Sequence, residues 1–311
     1  MQGEVKYPSY LALLETGELD KRIEELYARL ESCNLCPNAC GVNRLKGEVG
    51  FCKVKDKPVI ASYGPHFGEE KPLVGKNGSG AIFFTYCNMA CVYCQNWEIS
   101  HLGEGTEIKV EDLGAIMLLL QMWGCHNINL VTPTHQIPFI VKAIKLAAES
   151  GLNLPIVYNC GGYESLETLQ LLKGIVDIYM PDIKYMDEKT ALKLSKVKKY
   201  PEVVKKAVKE MHSQVGDLVI EGGIAKKGLI VRHLVLPEDL SQTEEVVKFI
   251  AEEISKNTYF NLMDQYRPCG DAWKYPPLDR KITREEWNKA LELAYRYGLK
   301  RLDERRARFW D

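Results

Sequence analysis

From about residue 80 onward, short β-forming runs alternate with longer amphipathic runs, and this alternation restricts the fold more than any other feature. The β-forming runs are continuously apolar, as expected for strands that are buried on both faces of a parallel sheet. The pattern predicts strands at 81–86, 127–132, 155–159, 176–181, 229–236 and 258–263. It predicts helices at 110–123, 138–150, 165–172, 189–212, 243–255 and 284–297. These βα units fit an α/β fold, either a partial (β/α)6 barrel or an open twisted sheet.

The first 79 residues have a different pattern. A helix is predicted at 19–30, and four cysteines and a segment punctuated by Gly, Pro and Lys follow it. We therefore predict an N-terminal helical and cysteine-metal subdomain over 1–79 and a barrel with a C-terminal helix over 80–311. The Gly-rich segment 221–228 predicts a hairpin turn or a mobile loop before the fifth barrel strand.

Charge and hydropathy exclude some classes of partner. The 41 Lys and Arg residues balance 42 Asp and Glu residues, and a net charge of -1 provides no long-range attraction for nucleic acid. The apolar run 115–120 is far shorter than the roughly 20 residues that span a bilayer. Residues 1–10 have no signal-peptide core. We expect a cytoplasmic protein with no nucleic-acid or membrane partner.

The ten cysteines include a tight group, Cys87, Cys91 and Cys94, directly after the first barrel strand. The carboxyl end of a parallel strand is where α/β enzymes place their chemistry. A structural zinc site needs four ligands in a closed shell, whereas three thiolates suit a 4Fe-4S cluster. In such a cluster one iron has no protein ligand and is free to bind a small molecule. The spacing therefore favours a reactive iron-sulfur site over a disulfide or a zinc site.

Around these cysteines the sequence resembles the radical S-adenosylmethionine (SAM) superfamily, whose motif is C-x3-C-x2-C with an aromatic residue, here Tyr93, before the last cysteine. The resemblance implies a partial (β/α)6 barrel, a 4Fe-4S cluster and SAM as cofactors. It also implies an oxidoreductase that reductively cleaves SAM to methionine and a 5′-deoxyadenosyl radical, which abstracts hydrogen from a substrate. An electron donor such as ferredoxin or flavodoxin is expected. The stretches 33–52, 65–75 and 78–100 resemble more narrowly the group related to pyruvate formate-lyase activating enzyme (PflX-type), which implies a glycyl-radical protein as substrate.

The same resemblance indicates further site residues in the later strands. Asp182 and Lys184 in IYMPDIKY are similar to the D-x-K element of the activases, and we expect catalytic and cofactor-binding roles for both. Arg232 in VRHLVLPE matches the arginine expected near the methionyl carboxylate of SAM. A planar guanidinium pairs bidentately with a carboxylate. The alternative for Lys184 and Arg232 is an ion pair at the rim of the barrel.

One segment departs from the superfamily pattern. Thr132-Pro133-Thr134-His135 stands where a Gly-Gly-Glu-like segment usually receives the cofactor amino group. We expect the Thr132 or Thr134 hydroxyl to substitute, because hydroxyls accept from an ammonium group. Tyr93, and Asn159 in the segment YNCGG, are further candidate cofactor contacts. Cys269, which follows the last strand, is a candidate catalytic hydrogen-atom donor; the alternative is that its side chain only packs.

Two N-terminal groups leave their roles open. The spacing of Cys33, Cys36, Cys40 and Cys52 indicates a metal, but it fits a structural zinc and a second iron-sulfur cluster equally well. Glu69 and Glu70 are expected at the surface, with substrate or metal binding as the alternative.

Three functions agree with these motifs. The first is activation of a glycyl-radical enzyme, and the second is radical modification of a small molecule or a peptide. The third, a non-catalytic electron carrier with two clusters, fits least well, because one iron of the three-cysteine cluster is left open and because Lys184 and Arg232 lie at the ends of their strands.

Overall fold

The computed structural model describes residues 7–303, so the outer bounds of both predicted domains, at residues 1 and 311, lie outside the described residues. In chain order the helices are α1 Tyr10–Glu15, α2 Glu18–Ala28, α3 Lys71–Val74, α4 Val110–Met122, α5 Ile137–Glu149, α6 Leu166–Leu172, α7 Glu188–Ser195, α8 Tyr200–Val215, α9 Thr243–Phe249 and α10 Arg284–Arg296. The strands are β1 Val59–His66, β2 Ser79–Phe84, β3 Thr106–Glu107, β4 Ile128–Val131, β5 Ile156–Cys160, β6 Ile178–Pro181, β7 Val219–Glu221, β8 Ile224–Leu234 and β9 Tyr259–Met263.

The strands form one mostly parallel sheet in the order β3-β1-β2-β4-β5-β6-β8-β7, and β9 also pairs with β8. The six parallel strands are β2, β4, β5, β6, β8 and β9, and each overlaps a strand predicted from the sequence. Within residues 7–303 the first and last of them do not pair, so the sheet stays open as a partial barrel. Strands β1 and β3 extend the sheet beyond β2 with antiparallel pairing. The division into two domains stays a prediction.

One predicted helix was wrong in its continuity. The helix predicted at 189–212 is two helices, α7 and α8, because Lys196 and Lys199 adopt left-handed backbone conformations between them. The helix predicted at 243–255 is present, and its last turn, Ile250–Ile254, is π-helical. The hairpin prediction is confirmed, since Gly222 and Gly223, both with positive φ, form the turn between β7 and β8.

The sheet has apolar clusters on both faces. The larger one packs helices against the sheet and includes Tyr158 and Tyr179. A smaller cluster marks what we call the inner face, and its members are Leu73, Val157, Ile178, Met180, Leu218, Ala225, Ile230 and Tyr259. Side chains alternate between faces along a strand, so the positions two residues beyond cluster members share this face. Asn159, Asp182, Arg232 and Asn261 are the positions that follow from this rule.

None of the helices described between residues 7 and 303 is both long enough and apolar enough to cross a membrane.

Candidate active site at the carboxyl ends of the strands

The three clustered cysteines occupy the loop that follows β2. This loop is anchored to the end of α7, because the Ala90 amide donates to the Ser195 carbonyl at 2.9 Å and the Val92 amide donates to the Leu194 carbonyl at 2.8 Å. The last turn of a helix leaves carbonyl groups without intrahelical partners, and these two amides satisfy them. The cysteine loop is therefore held in a fixed position against the barrel.

Each of the three sulfur atoms accepts a hydrogen bond. The Met89 amide donates to Cys87 Sγ at 3.3 Å, and Ser195 Oγ donates to Cys91 Sγ at 3.0 Å. Ser100 Oγ lies 3.2 Å from Cys94 Sγ and donates to it. Hydrogen bonds of this kind stabilise thiolates and tune the potential of an iron-sulfur cluster. Neither serine was predicted from the sequence; Ser195 lies 104 positions from Cys91, and Ser100 lies only six from Cys94 but belongs to no motif.

A positive charge stands beside the thiols. Burial raises the pKa of Cys87 and Cys91, and the charge of Lys184 opposes this effect at both. Burial alone would lower the pKa of Lys184, but Asp182 and Cys91 outweigh it, so the pKa lies well above its usual value. Lys184 Nζ and Asp182 Oδ2 form an ion pair at 2.5 Å. The structure thus brings the predicted D-x-K pair to the predicted cluster loop.

The donor set fits an iron-sulfur cluster. Adjacent buried thiols do not ionise together unless positive charge compensates them, and the irons of a cluster provide that charge. Three soft thiolate donors on one loop are also the ligand set that a 4Fe-4S cluster takes.

Arg232 forms a buried ion-pair network on the inner face. Its Nε donates to Glu70 Oε1 at 2.6 Å, its Nη2 donates to Glu70 Oε2 at 2.7 Å, and the same nitrogen also pairs with Glu69. Its Nη1 donates to Asn159 Oδ1 at 3.3 Å, and Asn261 Nδ2 donates to Glu70 Oε1 at 2.7 Å. Burial raises the pKa of Glu70, but the charge and hydrogen bonds of Arg232 lower it more, so Glu70 stays ionised.

The surface location expected for Glu69 and Glu70 was therefore wrong. Glu70 is fully buried and Glu69 is 6% exposed, because each neutralises part of the buried guanidinium. In this structure the guanidinium of Arg232 is already ion-paired with two protein carboxylates. The pairing of Arg232 with a cofactor carboxylate stays a prediction, and Asn159 lies directly beside it.

The two predicted threonine contacts lie in different surroundings. Thr132 is partly exposed with a φ of 61°, and its amide donates to the Asn159 carbonyl at 2.8 Å. Thr134 is fully buried and donates its hydroxyl to Glu164 Oε1 at 2.8 Å. The structure thus places Thr132 next to the inner-face residues, whereas the hydroxyl proposed at Thr134 is already bound to a carboxylate.

Glu164 is a buried carboxylate that the sequence analysis missed. Tyr158 donates to its Oε2 at 2.9 Å, and only 3% of the residue is exposed. Burial raises the pKa of Glu164 to about 7, although the hydrogen bonds of Thr134, Tyr158 and Cys160 oppose the shift. In the sequence this glutamate directly precedes a helix N-cap, Ser165, and that position is typical of a solvated acidic residue.

Tyr93 and Cys269 also differ in their placement. The Tyr93 side chain is buried, accepts a hydrogen bond from the Tyr185 hydroxyl at 2.5 Å and packs edge-to-face on Tyr266. Its ring therefore braces the cysteine loop from within the core, which differs from the open cofactor contact that we expected. Cys269 is partly exposed in the loop after β9, which joins the cysteine loop where the Asp271 amide donates to the Val92 carbonyl at 2.8 Å. Its chemical role stays a prediction.

Comparison with known proteins adds a family match. The model of the Radical SAM superfamily matches residues 81–250. An uncharacterized protein of Methanocaldococcus jannaschii is 34% identical over 299 residues, which cover 93% of this chain and 82% of that protein. A pyruvate formate-lyase-activating enzyme of Listeria monocytogenes is 26% identical over 124 residues, covering 37% of this chain and 50% of the enzyme.

Solved structures share the fold. A radical SAM methyltransferase from Sphaerobacter thermophilus superposes with a TM-score of 0.50 at 12% identity, covering 71% of this chain and 64% of that one. SuiB of Streptococcus suis gives a TM-score of 0.50 at 15% identity, covering 70% and 46% respectively. The chain thus spans less than two thirds of either structure, and at these identities the likeness concerns the fold alone.

Proposed function

Because the chain belongs to the radical SAM superfamily, we propose that it is a radical SAM enzyme whose 4Fe-4S cluster is held by Cys87, Cys91 and Cys94. The observation that carries this assignment is the loop of three thiols after β2. Each thiol accepts a hydrogen bond, and the Lys184–Asp182 ion pair stands beside them. When bound, the cluster and SAM supply the electron and the 5′-deoxyadenosyl radical.

The residues of the chain position and polarise this site. Ser195 and Ser100 donate to two of the thiolates and so stabilise their negative charge. Lys184 stays protonated beside Cys91 and offsets the charge of the thiolates or of an acidic ligand. The ion-paired side chains of Arg232 and Glu70 place a guanidinium on the inner face next to Asn159.

For the substrate, we propose a glycyl-radical protein, with a donor of the ferredoxin or flavodoxin class as the source of electrons. The support is the partial similarity to pyruvate formate-lyase-activating enzyme and the position of Asp182 and Lys184 at the end of β6. In the alternative, the radical modifies a small molecule or a peptide. Capture of a glycyl-radical protein that gains an EPR-detectable radical would favour the first, and SAM cleavage without any such radical would favour the second.

The test of the chemistry is anaerobic conversion of SAM to 5′-deoxyadenosine by reconstituted, dithionite-reduced protein. Cys94→Ala should abolish this conversion, since the cluster loses one of its three ligands. The matched control is Cys125→Ala, because Cys125 is a buried free cysteine outside the cysteine loop. Equal deoxyadenosine formation by the wild type and Cys94→Ala would contradict the ligand assignment.

A further inference from the structure

The four N-terminal cysteines line one pocket. Cys33, Cys36, Cys40 and Cys52 share it with the side chains of Arg44 and His135. Three of the four are nearly buried, with exposed fractions of 7% for Cys33 and 9% for both Cys36 and Cys52. Residues that are spread over twenty positions of the sequence thus converge around one largely buried pocket.

Backbone amides point at these thiols. The Phe51 amide donates to Cys40 Sγ at 3.3 Å, and the amides of Asn38 and Val54 hydrogen-bond to Cys36 and Cys52. Amide-to-sulfur hydrogen bonds of this kind surround thiolate ligands of iron-sulfur clusters.

Gly50 is required next to this pocket for steric reasons. A Cβ at this position would lie 2.8 Å from both Cβ and Sγ of Cys40. Any side chain there would displace Cys40 or the backbone at residue 50.

Two buried polar atoms at the pocket lack a protein partner. Arg44 is 1% exposed, and its Nε and Nη1 donate to the carbonyls of Lys55 and His135, while its guanidinium also lies 5.6 Å from the Phe139 ring centre. Its Nη2 has no hydrogen-bond partner within the described residues, and the same holds for Nδ1 of His135. A buried charged donor without a partner costs free energy, so an anionic group in the pocket would satisfy it.

Arg44 is the only Lys or Arg among the described residues that line the pocket, and it shares the pocket with four thiols. The Nε2 of His135 lies 2.8 Å from the Thr85 carbonyl, which only accepts hydrogen bonds, so this nitrogen carries a proton that is directed away from the pocket.

We propose that Cys33, Cys36, Cys40 and Cys52 bind a second 4Fe-4S cluster, with the Arg44 guanidinium facing its negative charge. Four thiolates complete the iron ligation of such a cluster, so this site has no open iron.

Four thiolates would also complete a tetrahedral zinc site. The cluster is favoured because this pocket lies beside the cysteine loop of the first site, where a second cluster can pass electrons to the first.

The two sites are neighbours in the fold. Asn38, which lies between Cys36 and Cys40, donates from Nδ2 to the carbonyl of Asn88 at 2.8 Å. Asn88 directly follows Cys87, the first ligand of the other site. The side-chain amide thus links the two cysteine loops.

The test is metal analysis of protein purified anaerobically from cells supplied with both iron and zinc. We expect about eight irons per wild-type chain and about four in the triple variant Cys87→Ala, Cys91→Ala, Cys94→Ala. That variant should retain acid-labile sulfide and a dithionite-dependent EPR signal. In the reverse variant, Cys36→Ala with Cys52→Ala, about four irons should remain.

Other metal contents overturn the proposal. About one zinc and four irons in the wild type would show a structural zinc, and four irons without zinc would show unligated thiols. The wild-type count decides the question even where a cysteine variant fails to fold, and it separates this site from the first one.

A second measurement tests the role of Arg44. Arg44→Gln, made in the variant that lacks the first site, should lower the reduction potential of the remaining cluster, whereas Arg44→Lys should retain most of it. Equal potentials in Arg44→Gln and its parent would contradict the placement of the guanidinium against the cluster.

Discussion

The buried carboxyl of Glu164 should make the stability of this protein depend on pH. Burial raises its pKa from 4.5 to about 7, so in the folded protein it keeps its proton over a range where the unfolded chain has lost its own. Stability should therefore fall as pH rises from about 4.5 to about 7 and level off above that. A difference of about 2.5 pKa units corresponds to about 3 kcal/mol.

Urea denaturation of the wild type and of Glu164→Gln at a series of pH values measures this pH dependence of the unfolding free energy. Gln does not titrate. As pH rises across that range, the wild type should therefore lose about 3 kcal/mol of unfolding free energy relative to Glu164→Gln. Glu167→Gln is the matched control, because Glu167 is exposed and hydrogen bonds from Ser165 and from its own backbone lower its pKa. A pH-independent difference for Glu164→Gln would refute the argument from burial.

Two further substitutions test the inner-face and cluster-loop contacts. Ser195→Ala removes the hydrogen bond to Cys91 Sγ, so the first cluster should become harder to reduce, and an EPR-monitored redox titration that finds an unchanged potential would argue against this contact. Glu70→Gln removes one buried charge beside Arg232 and should cost about 3 kcal/mol in the free energy of unfolding. The exposed Glu24→Gln serves as its control, and equal urea midpoints for these two variants would show that the buried ion pair contributes nothing.

Local patterns in the sequence predicted much of the fold. The apolar runs located all six parallel strands, because a strand that is buried on both faces must be continuously apolar. The break between α7 and α8 was missed, since lysines in left-handed conformation have no local signature of the kind that glycine provides.

For the candidate site, the sequence determined which chemical groups are present and at which strand end each one stands. Two short motifs can be recognised without a structure because their residues are close together in the chain: the cysteine group Cys87, Cys91 and Cys94 and the D-x-K element of Asp182 and Lys184. Parallel strands bring their carboxyl ends to one edge, which is why these two groups meet.

Only the tertiary structure decided which groups are buried and which partners they have. Arg232 pairs with Glu70 across 162 positions, and Thr134 binds the carboxylate of Glu164 across 30. Arg44 lies in the same segment as the N-terminal cysteines and lines their pocket. Its buried guanidinium nevertheless needs the carbonyl of His135, 91 positions away, as a hydrogen-bond acceptor. The free-energy cost of burying a charge depends on all the groups that surround it in space. These groups come from segments that are distant in the sequence, so no local sequence pattern predicts that they lie together.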